Sequence, residues 1–79
     1  MIPPRIKNVI PNENFELRIE YENGETKTYD ITKQLEHEHY KNLRNIAYFM
    51  LAKNAEVTIE WPEGEDIDPN ELYENSIDI

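Results

Sequence analysis

The sequence predicts a small α+β domain, an antiparallel sheet of about four or five strands with one or two short helices packed on it. Three observations predict it. Apolar and charged residues alternate from Phe15 to Glu22, an Asn23-Gly24 pair follows directly, and apolar residues recur at spacings of three and four between Tyr40 and Leu51.

Arg5-Ile6-Lys7-Asn8-Val9-Ile10 reads as a first strand, stopped by Pro11 and Asn12. Pro3 and Pro4 cannot donate ladder hydrogen bonds and suit a lead-in or an edge. Phe15, Leu17, Ile19 and Tyr21 then alternate with Glu16, Arg18, Glu20 and Glu22. That period of two belongs to a strand with one buried face. Asn23-Gly24 is the strongest short-range hairpin signal, and it leaves two registers open. A two-residue turn pairs Glu20 with Lys27 and puts Thr26 and Thr28 on the apolar face. A three-residue turn with Gly24 at positive φ puts Tyr29 and Ile31 there instead.

Asp30 or Thr32 can cap a helix beginning near Lys33. Leu35 starts its apolar side, and Tyr40, Leu43, Ile46, Ala47, Met50 and Leu51 continue it as an amphipathic stripe. Tyr48 and Phe49 fall off that stripe, so the segment 46–51 is either deeply buried or exposes an aromatic flank. After a break at Asn54-Ala55, the run from Glu56 to Trp61 alternates as a strand, and Pro62-Glu63-Gly64-Glu65 forms a loop. Asp68-Pro69-Asn70-Glu71 marks a helix start, with Asp68 as N-cap, Pro69 at the first helical position and Glu71 completing a capping box. Leu72 and Tyr73 supply that helix's apolar contact. Residues 76–79 read as a frayed tail unless Ile77 or Ile79 packs. No internal repeat, linker or second domain is visible, so residues 1–79 form one domain.

Composition bounds the function. Seventeen acids against eight bases give a net charge of −9. A phosphate backbone would be repelled, so direct nucleic-acid binding is not expected. The acidic surface either solubilises the chain or matches a basic partner. The absence of cysteine excludes disulfides, thiolate catalysis and cysteine zinc sites. The start lacks the basic and apolar regions of a signal peptide, and no apolar run could span a bilayer. Cytoplasmic residence without membrane association is the expectation.

The residues that could carry chemistry do not form a site. His37 and His39, at i and i+2, point about 200° apart on a helix and cannot share a metal there. Zinc needs three or four converging ligands. The acids Glu63, Glu65, Asp66, Asp68 and Glu71 lack the spacing of a calcium loop. The one serine is Ser76, in the tail, and two glycines, Gly24 and Gly64, make no phosphate loop. No catalytic residue, metal or cofactor is expected. Trp61 suits a binding anchor, although a strand-end Trp more often covers a small core. Tyr48 and Phe49 are the other candidate partner contacts.

The stretch Trp61-Pro62-Glu63-Gly64-Glu65-Asp66-Ile67-Asp68-Pro69-Asn70-Glu71-Leu72-Tyr73 resembles the closing signature of a small bacterial family, domain of unknown function 2442. The Tyr21-Glu22-Asn23-Gly24-Glu25 turn, the following Tyr29-Asp30 and the opening Pro4-Arg5-Ile6 are similar to that family too. The resemblance covers nearly the whole chain. It implies an α+β fold like the N-terminal domain of a larger helix-turn-helix protein. It carries no catalytic residue, and it implies a partner of the toxin–antitoxin kind. It also implies an extended segment at 50–53, so that the helix stops near Phe49 and 50–53 pairs with 56–61. The leading expectation is therefore a non-catalytic interaction module, the antitoxin-like member of a pair with another small, basic protein. The alternatives are a regulatory domain acting on transcription through a DNA-binding partner, and a small hydrolase or metal-dependent enzyme.

Overall fold

The computed structural model describes residues 2–78. Its main sheet is antiparallel, in the order β1 (Ile6–Pro11), β2 (Glu16–Tyr21), β3 (Thr26–Asp30) and β6 (Ile77–Asp78). A second, two-stranded sheet pairs β4 (Lys53–Asn54) with β5 (Ile59–Glu60). Between β3 and β4 lie two 3-10 segments, Thr32–Glu36 and Glu38–Arg44, and a single α-turn, α1 (Ile46–Phe49). Helix α2 (Pro69–Asn75) precedes β6. The α+β class is thus as the alternation and the two helix signals predict.

Period-two patterning decides which face of the sheet is covered. Leu17, Ile19 and Tyr21 of β2 are buried, and Tyr29 and Ile31 join them on the same face. The pairing of Ile19 with Lys27 and Leu17 with Tyr29 belongs to the three-residue turn, with Gly24 at φ 94°. This settles the open register. It also brings Lys27 onto the buried face, a position that the sequence reading leaves unremarked.

One turn geometry recurs three times. Asn12, Tyr21 and Trp61 each donate their N–H to the carbonyl of the residue four further on, at 3.0, 2.8 and 2.9 Å. In each case the fourth residue bonds back to the first and has positive φ: Phe15 (60°), Gly24 (94°) and Gly64 (102°). The fifth is always glutamate: Glu16, Glu25 and Glu65. Phe15 adopts a conformation that costs a non-glycine residue about 1 kcal/mol. Its ring meets Phe49 at 5.3 Å, which offsets the strain.

The expected long helix does not form. The segment is broken twice, by a kink at Tyr40 (φ −106°, ψ 16°) and by extended Asn45, and its short turns bring Tyr40, Leu43, Ile46 and Phe49 to the core. Phe49 is fully buried, whereas Met50 and Leu51 are exposed, the reverse of the amphipathic reading. Asn45 breaks the run, its side chain accepting from the Ala47 N–H at 3.0 Å. Helix α1 ends at Phe49, as the family resemblance implies, but of the extended segment it implies at 50–53 only Lys53 is in a strand: Met50 and Leu51 form a turn, and Lys53–Asn54 pairs with Ile59–Glu60. The strand expected from Glu56 shortens to Ile59–Glu60, because Glu56 sits at φ 73° in the connecting turn.

The C-terminus also departs from the expectation of a frayed tail. Ile77 pairs with Thr28 and Asp78 with Lys27, while Ser76 is buried and donates to the Leu72 carbonyl. Ile79 lies outside the described residues.

Candidate interaction surface

The three candidate contact residues separate. Trp61 is 1% exposed and donates its indole N–H to the Phe49 carbonyl at 2.9 Å. Phe49 is buried beside it, with ring centres 6.0 Å apart. Neither presents a surface to a partner; both are core. Tyr48 is half-buried, and its hydroxyl donates to Glu65 Oε1 at 2.6 Å while accepting from the Glu63 N–H at 2.9 Å. It fastens the 61–65 turn to α1.

The other signature positions hold the fold together. Asn23 accepts from the Glu25 N–H, and Gly24 and Gly64 make their turns. The Asp66 carbonyl accepts from the Tyr40 hydroxyl at 2.8 Å, leaving the carboxylate exposed. Asp68 caps α2, accepting from the N–H groups of Asn70 (2.8 Å) and Glu71 (3.3 Å), with Pro69 in the first turn. Glu71 does not turn back to close a capping box. Its Oε2 accepts from the Tyr29 hydroxyl at 3.0 Å and its Oε1 from Asn75 at 2.9 Å, tying α2 to β3. Leu72 is fully buried, and Tyr73 stands edge-on to Tyr21 and donates to Glu25.

Lys27 is the functional-looking side chain that the patterning missed. Its side chain is 11% exposed, with the ammonium 4.2 Å from the Tyr73 ring centre. Asp78 at 3.3 Å and Glu25 at 3.8 Å balance its charge. The group locks β6 against β3. Only the choice between the two hairpin registers could have found it.

Glu65 is the second buried charge. Burial pushes its pKa up, but hydrogen bonds from Tyr48, its own backbone N–H and Asn42, with the His39 charge, outweigh that and hold it below the ordinary carboxylate value. Asp30 lies low because the Thr32 N–H and hydroxyl donate to it. The Tyr21 hydroxyl is buried without a partner among the described residues, and desolvation pushes it up to about 12.

A polar pocket of about 330 Å³ opens between the end of β3, the first 3-10 segment and α2. Asp30, Lys33, Gln34, Glu71 and Asn75 line it, and its carboxylates are already committed to Thr32, Tyr29 and Asn75. His37 and His39 are exposed. Among the described residues no group of three or more histidines and carboxylates is placed to hold a metal ion. Nor, among the described residues, is any helix long and apolar enough to cross a membrane.

Two features of the surface stand out. Residues 54–79 hold nine acids and no lysine or arginine, whereas residues 1–53 hold eight acids and eight bases, so the whole −9 belongs to the last third. Glu63, Asp66 and Glu74 are exposed there, with no ion pair or side-chain hydrogen bond among the described residues. The other feature is the outer face of the main sheet, which carries Ile10, Arg18, Thr28 and Ile77 in one row. The described chain places no layer over that row.

Fold and surface together define a small two-layer α+β domain whose distinctive residues are structural and whose net charge is confined to one region. The chain belongs to the family described as Protein of unknown function (DUF2442), whose model matches residues 6–78. Neither a curated protein nor a solved structure matches it.

Proposed function

We propose that the chain is a non-catalytic protein-binding domain, the antitoxin-like member of a two-protein pair whose other member presents a basic surface. The observation that carries this reading is the confinement of all net charge to residues 54–79. Glu63 lies in the tethered turn, Asp66 directly after it and Glu74 on α2, so their charges are carried on backbone that the fold holds in place. A fixed field of one sign steers a complementary partner and speeds its encounter. The exposed histidines, and carboxylates committed to caps and turns, favour binding over catalysis.

Co-expression with the product of the adjacent gene, followed by size-exclusion chromatography, tests the proposal. Co-elution at low salt that weakens at high salt, with relief of any growth defect the partner causes, is the expected result. Separate elution with no effect on growth contradicts it.

A further inference from the structure

We infer that Asn23 is a site of spontaneous modification, deamidation through a succinimide, which the folded hairpin holds closed and a local opening of the turn releases. The chemistry needs a side-chain amide followed by an uncrowded backbone nitrogen. The Gly24 nitrogen loses its proton and attacks the side-chain carbonyl carbon of Asn23, closing a five-membered ring. The amide nitrogen takes up a proton and leaves as ammonia. Water then opens the ring at one carbonyl or the other, giving aspartate or isoaspartate, so water is the one co-reactant. The three like turns single this position out. The residue before the positive-φ position is Asn14, Asn23 or Glu63, and the residue at that position is Phe15, Gly24 or Gly64. Asn14 has the amide, but the Phe15 side chain crowds the nitrogen that must attack. Gly64 leaves its nitrogen open, but Glu63 has no ammonia to lose. Asn23 and Gly24 meet both needs, and they are exposed, with open space where a Gly24 Cβ would lie.

The same turn restrains the reaction. The Gly24 N–H, whose proton must leave, donates to the Tyr21 carbonyl at 3.1 Å. Asn23 Nδ2, the departing nitrogen, donates to Glu25 Oε1 at 2.5 Å, and Oδ1 accepts from the Glu25 N–H at 3.0 Å. Reaction breaks at least the first two of these bonds, so it proceeds from a turn that has already opened. Glu25 is in turn seated by the Tyr73 hydroxyl, which ties the closed state to α2. The products cannot restore it. Aspartate puts an acceptor where Nδ2 donates, facing the Glu25 carboxylate. Isoaspartate adds a methylene to the backbone of the turn whose length sets the register that buries Lys27 and Tyr29. Either change loosens the contact of Glu25 with Tyr73 and Lys27, through which the hairpin holds α2 and β6.

Peptide mass mapping of the full chain, aged in mildly alkaline buffer with and without guanidinium chloride, tests the inference. In denaturant Asn23 should convert well ahead of Asn14, and in the folded chain at least about tenfold more slowly than in denaturant. Tyr73→Phe, which unseats Glu25 while leaving Asn23 and Gly24 intact, should speed conversion in the folded chain and leave the denatured rate unchanged. Tyr48→Phe removes the matching contact at the other turn, so it should leave the folded rate near the wild type; this separates release of the turn from general loss of stability. Asn23→Asp, which is one of the two products, should lower the denaturant midpoint. Asn23 converting no faster than Asn14 in denaturant overturns the inference. So does a folded chain that converts as fast as the denatured one, an equal acceleration by the two tyrosine variants, or an unchanged midpoint in Asn23→Asp.

Discussion

The hydroxyl of Tyr48 lies 2.6 Å from Oε1 of Glu65, joining the one turn of α1 to the turn that follows β5. The same contact recurs across the molecule, where Tyr73 donates to Glu25. In both cases the acceptor is the glutamate closing an aromatic-x-x-Gly-Glu turn, and the aromatic at its head, Trp61 or Tyr21, is buried. Tyrosine hydroxyls thus keep two charged turns seated on the core. Tyr48→Phe should lower the thermal midpoint more than the exposed control Lys41→Ala, because it leaves the Glu65 carboxylate with fewer donors. Equal midpoints in the two variants contradict this.

Gly24 and Gly64 give the sharpest test of the turn geometry. Open space surrounds the position of a Cβ at both, so the cost of a side chain is backbone strain alone. Gly24→Ala and Gly64→Ala should each destabilise by about 1–2 kcal/mol in denaturant titrations, and asparagine should cost less at either site. A neutral alanine at either site contradicts the positive φ.

Trp61 is expected to behave as core, not as a contact. Trp61→Ala should cost about 3–5 kcal/mol, a large share of the roughly 4–12 kcal/mol available to a domain this size. It should leave the chain largely unfolded in mild denaturant. A folded, stable variant that merely loses its partner would restore Trp61 as a surface anchor.

Acid should destabilise the fold. Glu65, Asp30 and Glu25 all titrate below their ordinary values in the folded chain. Each therefore stabilises the fold above its unfolded-state value, and that stabilisation is lost as pH falls through the folded value. Neutralising the −9 charge works in the opposite direction by relieving repulsion. The urea midpoint should fall from about pH 4.5 downward, and Glu65→Gln should flatten the fall. A midpoint that rises on acidification would show that repulsion dominates. At the alkaline end, Tyr21 is pushed up to about 12, so its stabilising effect is complete below the ordinary value of 10.0 and lost as pH climbs through 12.

Legibility in the sequence followed how local each cause was. Strand β2, the Gly24 turn and the Asp68 cap depend on neighbours in the chain, and their residues announced them. The segment 38–49 did not, because apolar residues at spacings of three and four fit an α-stripe as well as a 3-10 row. The outcome rests on Tyr40 reaching the Asp66 carbonyl and on Trp61 reaching Phe49, both distant in sequence. Lys27 was hidden by a one-residue ambiguity that exchanges the two faces of a strand. Strand β6 was hidden because its two residues are held by β3 and by the Lys27 ammonium, not by any pattern of their own. For the candidate surface, the net charge and its confinement to the last third are both plain in the sequence; which of those acids are exposed and uncommitted emerges only when they are placed on their elements.

The most direct measurement is calorimetric titration of the co-expressed partner into the wild-type chain and into the variant Glu63→Lys, Asp66→Lys, Glu74→Lys. These three side chains have no structural partner among the described residues and their reversal relieves repulsion, so the variant should keep or slightly raise the wild-type thermal midpoint. Binding to the wild type that weakens with added salt, and at least a tenfold loss in the variant, is the predicted result. Equal affinity for the two chains, independent of salt, would contradict it.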